Sequence, residues 1–317
     1  MTDPTASVAV ITYERPDFVA RCMDHLLAQT RPPLEIVVID SSSGRDTEQL
    51  IGKRYPTVDY LRSAAGAGAM ATARNLGYRS TRGEVLAFID DDAFAEPEWL
   101  EMLLPVYGDP TVGAVGGRQI RGQPDEITEG VDDIGRLRED GTLSGNFTAD
   151  PGRRVEVDHL LGANMSFRRS VLDQIGGIRD GYGGTCVREE TDLCLRVAEA
   201  GYRLVYTPDA VVEHVAAPYA KGRRFDLRYA YWAQKNHLIV LIRNFGPADP
   251  IVRTYLATSL RQAARAFRQR LARDGDDHDG GLRGAAAGGA RLAVVLGATV
   301  SGTATGWVFL RRDRRDR

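Results

Sequence analysis

The sequence predicts a doubly wound α/β domain followed by a basic helical extension. Three continuous apolar runs bounded by polar residues predict buried, mostly parallel strands. Stripes with helical spacing lie between them, and past Arg223 the composition turns aromatic and basic, then apolar.

The runs are SVAVIT (7–12), EIVVID (35–40) and EVLAFID (84–90). Between the first two, Pro16 stands where a first helical turn begins. Phe18, Cys22 and Leu26, with Val19, Met23 and Leu27, then repeat at i, i+4 and i+8, so this stretch reads as a βαβ unit. A second unit follows with 69–79 as its helix, and a further helix is expected over 96–104. Beyond residue 250, TYLATSLRQAARAFRQRLAR reads as a helix with Leu256, Leu260, Ala263, Ala264, Phe267 and Leu271 on one face and arginines elsewhere. DGDDHDGG (274–281) reads as a loop, and 292–310 is a 19-residue segment without a charge, closed by RRDRRDR. The expected divisions are 1–222, 223–280 and 281–317.

With 317 residues, 43% hydrophobic and 26% charged, the chain is far from a disordered composition. The net charge of −2 hides an asymmetry: residues 219–317 carry 19 basic and 8 acidic groups, which leaves 22 basic and 35 acidic before them. Cys22, Cys186 and Cys194 are too few and scattered for a disulfide framework or a zinc site, so buried thiols in a reducing compartment are expected. MTDPTASVAVIT has neither a basic n-region nor a long apolar h-region, so no secretory signal is expected.

In doubly wound sheets ligands bind beyond the carboxyl ends of the strands. Thr12-Tyr13-Glu14, Asp40-Ser41-Ser42-Ser43 and Asp90-Asp91-Asp92 each sit at such an end, so they are expected to converge. In an extended segment Asp90 and Asp92 face one side and Asp91 the other. Such hard oxygen donors suit Mg²⁺ or Mn²⁺ holding a diphosphate; the bland alternative is an acidic turn capping the 96–104 helix. Asp40 alone suits an N-cap or Asx-turn equally well. The small residues of AGAGAMATARNLG (65–77) suit a close backbone approach to a ligand, and Arg74 within it can meet a phosphate or a base edge.

VAVITYERP, EIVVIDSSS, ARNLG, VLAFIDDDA, LLGANMSFRRSVL, GGIRDGYGG and EETDLCLRVAEAGYRLVYTPDAVVEH follow in that order. Together they resemble family 2 glycosyltransferases over residues 6–216. The resemblance implies the GT-A fold, Rossmann-like, with a mostly parallel sheet and helices on both faces. It implies nucleotide-sugar contacts for Thr12, Tyr13, Asp40, Arg74 and Asp91, with Glu14 and Asp90 counted at the same strand ends. It makes Asp92 a metal ligand, joined by His214 and Asp90, with Mn²⁺ or Mg²⁺ as cofactor. LGANMSFRR corresponds to the loop shaping the sugar and acceptor site, which brings in Gly162, Ala163 and Asn164. Glu189-Glu190 stands where the family usually reads Glu-Asp, one methylene longer, with the second residue as catalytic base. Glu190 is thus the expected base, with Glu189 and Asp192 as rivals; Asp192 equally suits an ion pair with Arg196 one turn on. His25, His159, His237 and His278 lack such a context and read as structural or solvent-exposed.

The implied activity is a metal-dependent, inverting transfer from a nucleoside-diphosphate sugar to a glycan, lipid-linked or small-molecule acceptor. Two other readings are a nucleotidyltransferase acting on sugar phosphates and a non-catalytic sugar-binding protein. The first expects a glycine-rich basic loop where ITYERPDF has no glycine; the second needs no such set of carboxylates in register. A processive synthase would carry QxxRW and several membrane spans, and neither is found. No nucleic-acid motif accompanies the basic tail. Its basic helix and near-membrane-length apolar segment suit a cytoplasmic enzyme at the inner face of a membrane, or a helix buried on the body or in a homodimer.

Overall fold

The computed structural model describes residues 3–121, 130–184, 187–215, 217, 226–274 and 281–315. Cys186 and His278 lie outside the described residues, as do the side chains of Phe267 and Leu271. The chain forms two compact units. One comprises the described residues within 1–137, 143–180 and 189–220; the other comprises those within 138–142, 181–188 and 221–317.

The first unit is built on a nine-stranded mixed sheet. Strands β1 (Ala6–Thr12), β2 (Glu35–Asp40), β3 (Asp59–Arg62) and β4 (Val85–Asp90) are parallel in the order β3-β2-β1-β4. The sheet then continues through β8 (Met165–Arg168), β6 (Val112–Ile120), β9 (Arg203–His214) and β5 (Ala93–Ala95), and the short β7 (Val155–Glu156) also pairs with β9. Strand β8 runs antiparallel to both β4 and β6, so the sheet is parallel in its first half and mixed in its second.

Both faces are covered, which is why the strands read as unbroken apolar runs. Val8 and Val10 of β1 meet Val19, Cys22, Met23 and Leu26 of α1 (Pro16–Leu27) on one face. Ala9 and Ile11 meet Ala71 and Ala73 of α3 (Met70–Ser80) on the other. Leu27, expected within the stripe of α1, is instead exposed. Helix α2 (Asp46–Arg54) and strand β3 lie between the second run and α3, where no separate elements were expected. Their signals are weak: α2 buries only Thr47 and Ile51, and DYLR is a short edge strand with no buried residue. Expected over 96–104, α4 (Trp99–Leu103) is preceded by β5 and has no side-chain cap, so the three aspartates do not cap it.

Helices α5 (Arg169–Ile175) and α6 (Glu189–Glu199) complete this unit. The second unit is helical: α7 (Leu227–Phe245), α8 (Pro250–Asp274) and α9 (Gly281–Arg315). Cys22 and Cys194 are buried free thiols.

Candidate active site

The parallel register sets the strand ends side by side. Thr12 pairs with Asp40 across β1 and β2, and Ile11 with Asp90 across β1 and β4. The loops beyond these ends are cross-tied. Glu14 adopts left-handed backbone at φ 55° and donates its N–H to Ser42 Oγ at 2.7 Å. Its carboxylate accepts from the Ser43 hydroxyl (2.6 Å) and N–H (2.7 Å), bonds that hold it below its usual carboxylate range. Arg15 then reaches the turn after β4, where Nη2 stands 2.6 Å from Asp91 Oδ1 and Nη1 3.3 Å from Asp92 Oδ2. Tyr13 between them is half-buried.

Asp90, Asp92 and His214 bring one ligand atom each to within 4.8 Å of one another. Pairing of β5 with β9 makes this possible: Ala93 lies opposite His214, and the Val215 N–H reaches the Asp92 carbonyl at 3.1 Å. His214 Nε2 stands 3.3 Å from Asp92 Oδ1, while Asp92 Oδ2 accepts from the Ala217 N–H at 2.7 Å. Burial pushes the Asp92 carboxyl up, but His214, Arg15 and the Ala217 N–H together hold it below the ordinary value. Two carboxylate oxygens and an imidazole nitrogen are a chemically sound donor set for a divalent cation.

Arg74 lies behind this trio, with 1% of its surface exposed. It pairs with Glu189, stands 3.4 Å from Asp90 Oδ1, and donates to the Gly162 carbonyl at 3.3 Å. One guanidinium thus links the end of β4, the first turn of α6 and the loop before β8. Gly66 and Gly68, at φ 68° and 81°, shape the loop that leads into α3 and sets Arg74 in place. Glu189, Glu190 and Asp192 occupy the first turn of α6, where the helix dipole favours negative charge. Glu189 and Asp192 are buried and Glu190 is half-buried. Arg179 stands 3.5 Å from Asp192, while Arg196 donates to the carbonyls of Ile175 and Gly177.

Several residues expected to meet a ligand also hold the fold together. Asp40 accepts from the Ser42 N–H at 2.8 Å, forming an Asx-turn, and from the Tyr60 hydroxyl at 2.8 Å. Asp91 has no exposed surface and accepts from Thr12 Oγ1 at 2.6 Å as well as Arg15; burial pushes its carboxyl up to about 7. Arg74, expected at a phosphate or a base edge, is enclosed by its acidic partners. Asn164 accepts from the Trp99 indole at 2.9 Å and donates to the carbonyls of Arg118 (3.1 Å) and Ala210 (3.0 Å), so it joins three elements below the site. Ala163 is buried, and Gly162 is half-buried. Arg15 was missed by sequence reasoning; its signal is its place directly after the strand-end triplet. The ring nitrogens of His25, His159 and His237 bond the carbonyls of Ala95, Ser144 and Gly141.

Residues 7–176 match the family described as Glycosyl transferase family 2. A glucosyl-dolichyl phosphate glucuronosyltransferase of Haloferax volcanii is 30% identical over 219 residues, 66% of this chain and 68% of that protein. A pre-mycofactocin glycosyltransferase of Mycobacterium tuberculosis is 28% identical over 57% of this chain, which spans only 37% of that protein. Among solved structures, mannosyltransferase PcManGT of Pyrobaculum calidifontis, in complex with GDP-Man and Mn²⁺, aligns with a TM-score of 0.60 at 21% identity, covering 97% of this chain and 88% of that one. GalNAc-T7, solved with UDP, GalNAc and Mn²⁺, aligns with a TM-score of 0.63 at 17% identity, covering 83% of this chain and 52% of that one. The sheet, with its strand ends gathered around an acidic site, is a GT-A fold, and the chain belongs to glycosyl transferase family 2 and is a glycosyltransferase.

Proposed function

We propose that the chain transfers a sugar, with inversion, from a nucleoside-diphosphate sugar to an acceptor hydroxyl in a reaction that depends on a divalent metal. The observation that carries this reading is the trio Asp90, Asp92 and His214, whose ligand atoms lie within 4.8 Å of one another. These residues would hold Mn²⁺ or Mg²⁺, and the imidazole nitrogen favours Mn²⁺. A divalent ion there would offset the charge that builds on the departing diphosphate.

The chain's own groups do the remaining work. Glu190 is half-buried, while Glu189 beside it is enclosed and paired with Arg74, so Glu190 is the better-placed base. It takes the proton of the acceptor hydroxyl as that oxygen attacks the anomeric carbon from the face opposite the leaving group. Arg74 is a positioning residue, fixing the start of α6 relative to Asp90. Thr12, Tyr13 and Glu14 with Ser42 and Ser43 form the wall on which the nucleotide rests. The Haloferax relative's name supports a lipid-linked acceptor over a soluble metabolite.

Titration of Mn²⁺, followed by its electron paramagnetic resonance signal, tests the central element. The expected result is one bound ion per chain, with affinity reduced more than about tenfold in Asp92→Asn. Equal affinity in both proteins would remove the metal from the proposal.

A further inference from the structure

Helix α9 has two unlike faces. Ala298, Gly302 and Gly306, four residues apart, make the first. A Cβ on Gly302 would stand 2.8 Å from the Lys235 carbonyl oxygen, too close to fit without a shift, and one on Gly306 would stand a tight 3.0 Å from Ile242 Cβ, so the small residues let α7 approach closely. Beside this seam, buried Arg243 of α7 makes a two-pronged bond to Asp313, at 2.8 and 3.0 Å. The second face is apolar and exposed: Leu296, Val300, Trp307 and Val308, with Val300 71% and Val308 64% exposed. No charged residue falls between Arg291 and Arg311. Contiguous apolar surface on a soluble protein marks a contact site.

We infer that this face of α9 lies in the interfacial layer of an anionic lipid bilayer, with the helix parallel to the membrane plane. Charge selects the occupant. Arginine flanks the apolar stripe at both ends, at 291 and at 311, 312, 314 and 315, and Arg311 lies over the Trp307 ring. Lipid phosphates complement that pattern. A second copy of α9 would bring arginines against arginines, whether the two helices ran parallel or antiparallel.

The inner face decides the orientation. By length and composition, residues 289–315 could cross a bilayer. However, α7 covers that face and carries polar groups at the same level. Asn236 holds the Gly183 and Val187 carbonyls, and His237 bonds the Gly141 carbonyl. A crossing α9 would either draw these groups into hydrocarbon or leave α7 and break the Arg243–Asp313 pair. Both are costly, and an in-plane helix incurs neither.

The inference bears on the lipid-linked acceptor proposed above but does not rest on transfer, because vesicle binding and catalysis are separate readouts. The test is flotation of the full-length protein with vesicles of phosphatidylcholine, with and without phosphatidylglycerol. Co-flotation is expected only with phosphatidylglycerol, weakening with salt and released by alkaline carbonate. Val300→Glu, at an exposed position, should lower the partition coefficient by at least about tenfold. Arg314→Gln and Arg315→Gln should each lower it about fivefold. Donor hydrolysis should stay unchanged in all three variants, which shows that they fold. Three results would overturn the inference: no flotation with either vesicle, retention through carbonate extraction, or a wild-type dimer that ignores vesicles and dissociates in Val300→Glu.

Discussion

Strands β2 and β4 deliver aspartates to either side of the end of β1 in opposite conditions. Asp40, at the end of β2, is buried and has both oxygens engaged by Ser42 and Tyr60. Asp90, at the end of β4, leaves 22% of its side chain open and stands 3.4 Å from Arg74. A carboxylate whose acceptor sites are filled by the fold has little left for a ligand, whereas a half-open one keeps that capacity. Asp91 and Asp92 are both buried, but Asp92 turns Oδ1 toward His214, and Glu190 is half-buried where Glu189 is enclosed. Neighbouring motif residues therefore differ in how far the fold already engages them. Burial and partners, read beside the motif spacing, are the ground on which Asp90, Asp92 and Glu190 are proposed to act on a ligand.

Breaking the less engaged set should have the largest effects on activity. Glu190→Gln should lower transfer by roughly 10²–10⁴-fold while donor binding persists, as expected for a lost general base. Steady-state kinetics and donor titration check this; a similar loss in Glu189→Gln without any loss of stability would erase the distinction between the two. Asp92→Asn should lower transfer by about 10²–10³-fold, equivalent to several kcal/mol of charge stabilisation.

Breaking the engaged set should show first in stability. Arg74→Met leaves Glu189 as a buried, unpaired charge, which costs about 3–5 kcal/mol, or roughly 6–20 °C of melting temperature. The double substitution Arg74→Met with Glu189→Leu should recover most of that loss in calorimetry. Asn164→Ala should cost roughly 1–3 kcal/mol, because it leaves the Trp99 indole and two carbonyls without partners. Its kcat/KM per folded molecule should stay within about threefold, a change near 0.6 kcal/mol. A large selective loss of activity would return Asn164 to the sugar site.

The smallest effect concerns the brace at β2. Burial, together with the hydrogen bond to Asp40, pushes the Tyr60 hydroxyl from 10.0 up to about 12. A raised folded value favours the protonated form, so this stabilisation is complete below pH 10 and lost as pH rises through about 12. The melting temperature should hold to about pH 10 and fall between there and pH 12, less steeply in Tyr60→Phe. Equal slopes in the two proteins would detach Tyr60 from the stability of the strand ends.

The fold was largely legible because β1, β2 and β4 are buried on both faces and leave unbroken apolar runs. What escaped was marginal by the same physics: α2 buries little, β3 is a short edge strand, and Leu27 falls outside the buried stripe of α1. The convergence of the strand ends followed from topology. Whether a given aspartate faces inward did not, because it depends on partners 20 to 125 residues away, such as Tyr60 for Asp40 and Ala217 for Asp92. The role of Arg74 was hidden for the same reason. An arginine in a small-residue loop suggests an anion, and nothing local shows that its anion is Glu189, 115 residues on.

Asp90, Asp92 and His214 are proposed to support a metal-dependent transfer. Release of nucleoside diphosphate from a panel of donor sugars, in chelator and after added Mn²⁺ or Mg²⁺, tests it most directly. No release is expected in EDTA, recovery with the metal, and a recovery about 10²–10³-fold weaker in Asp92→Asn. Full release in EDTA would contradict it.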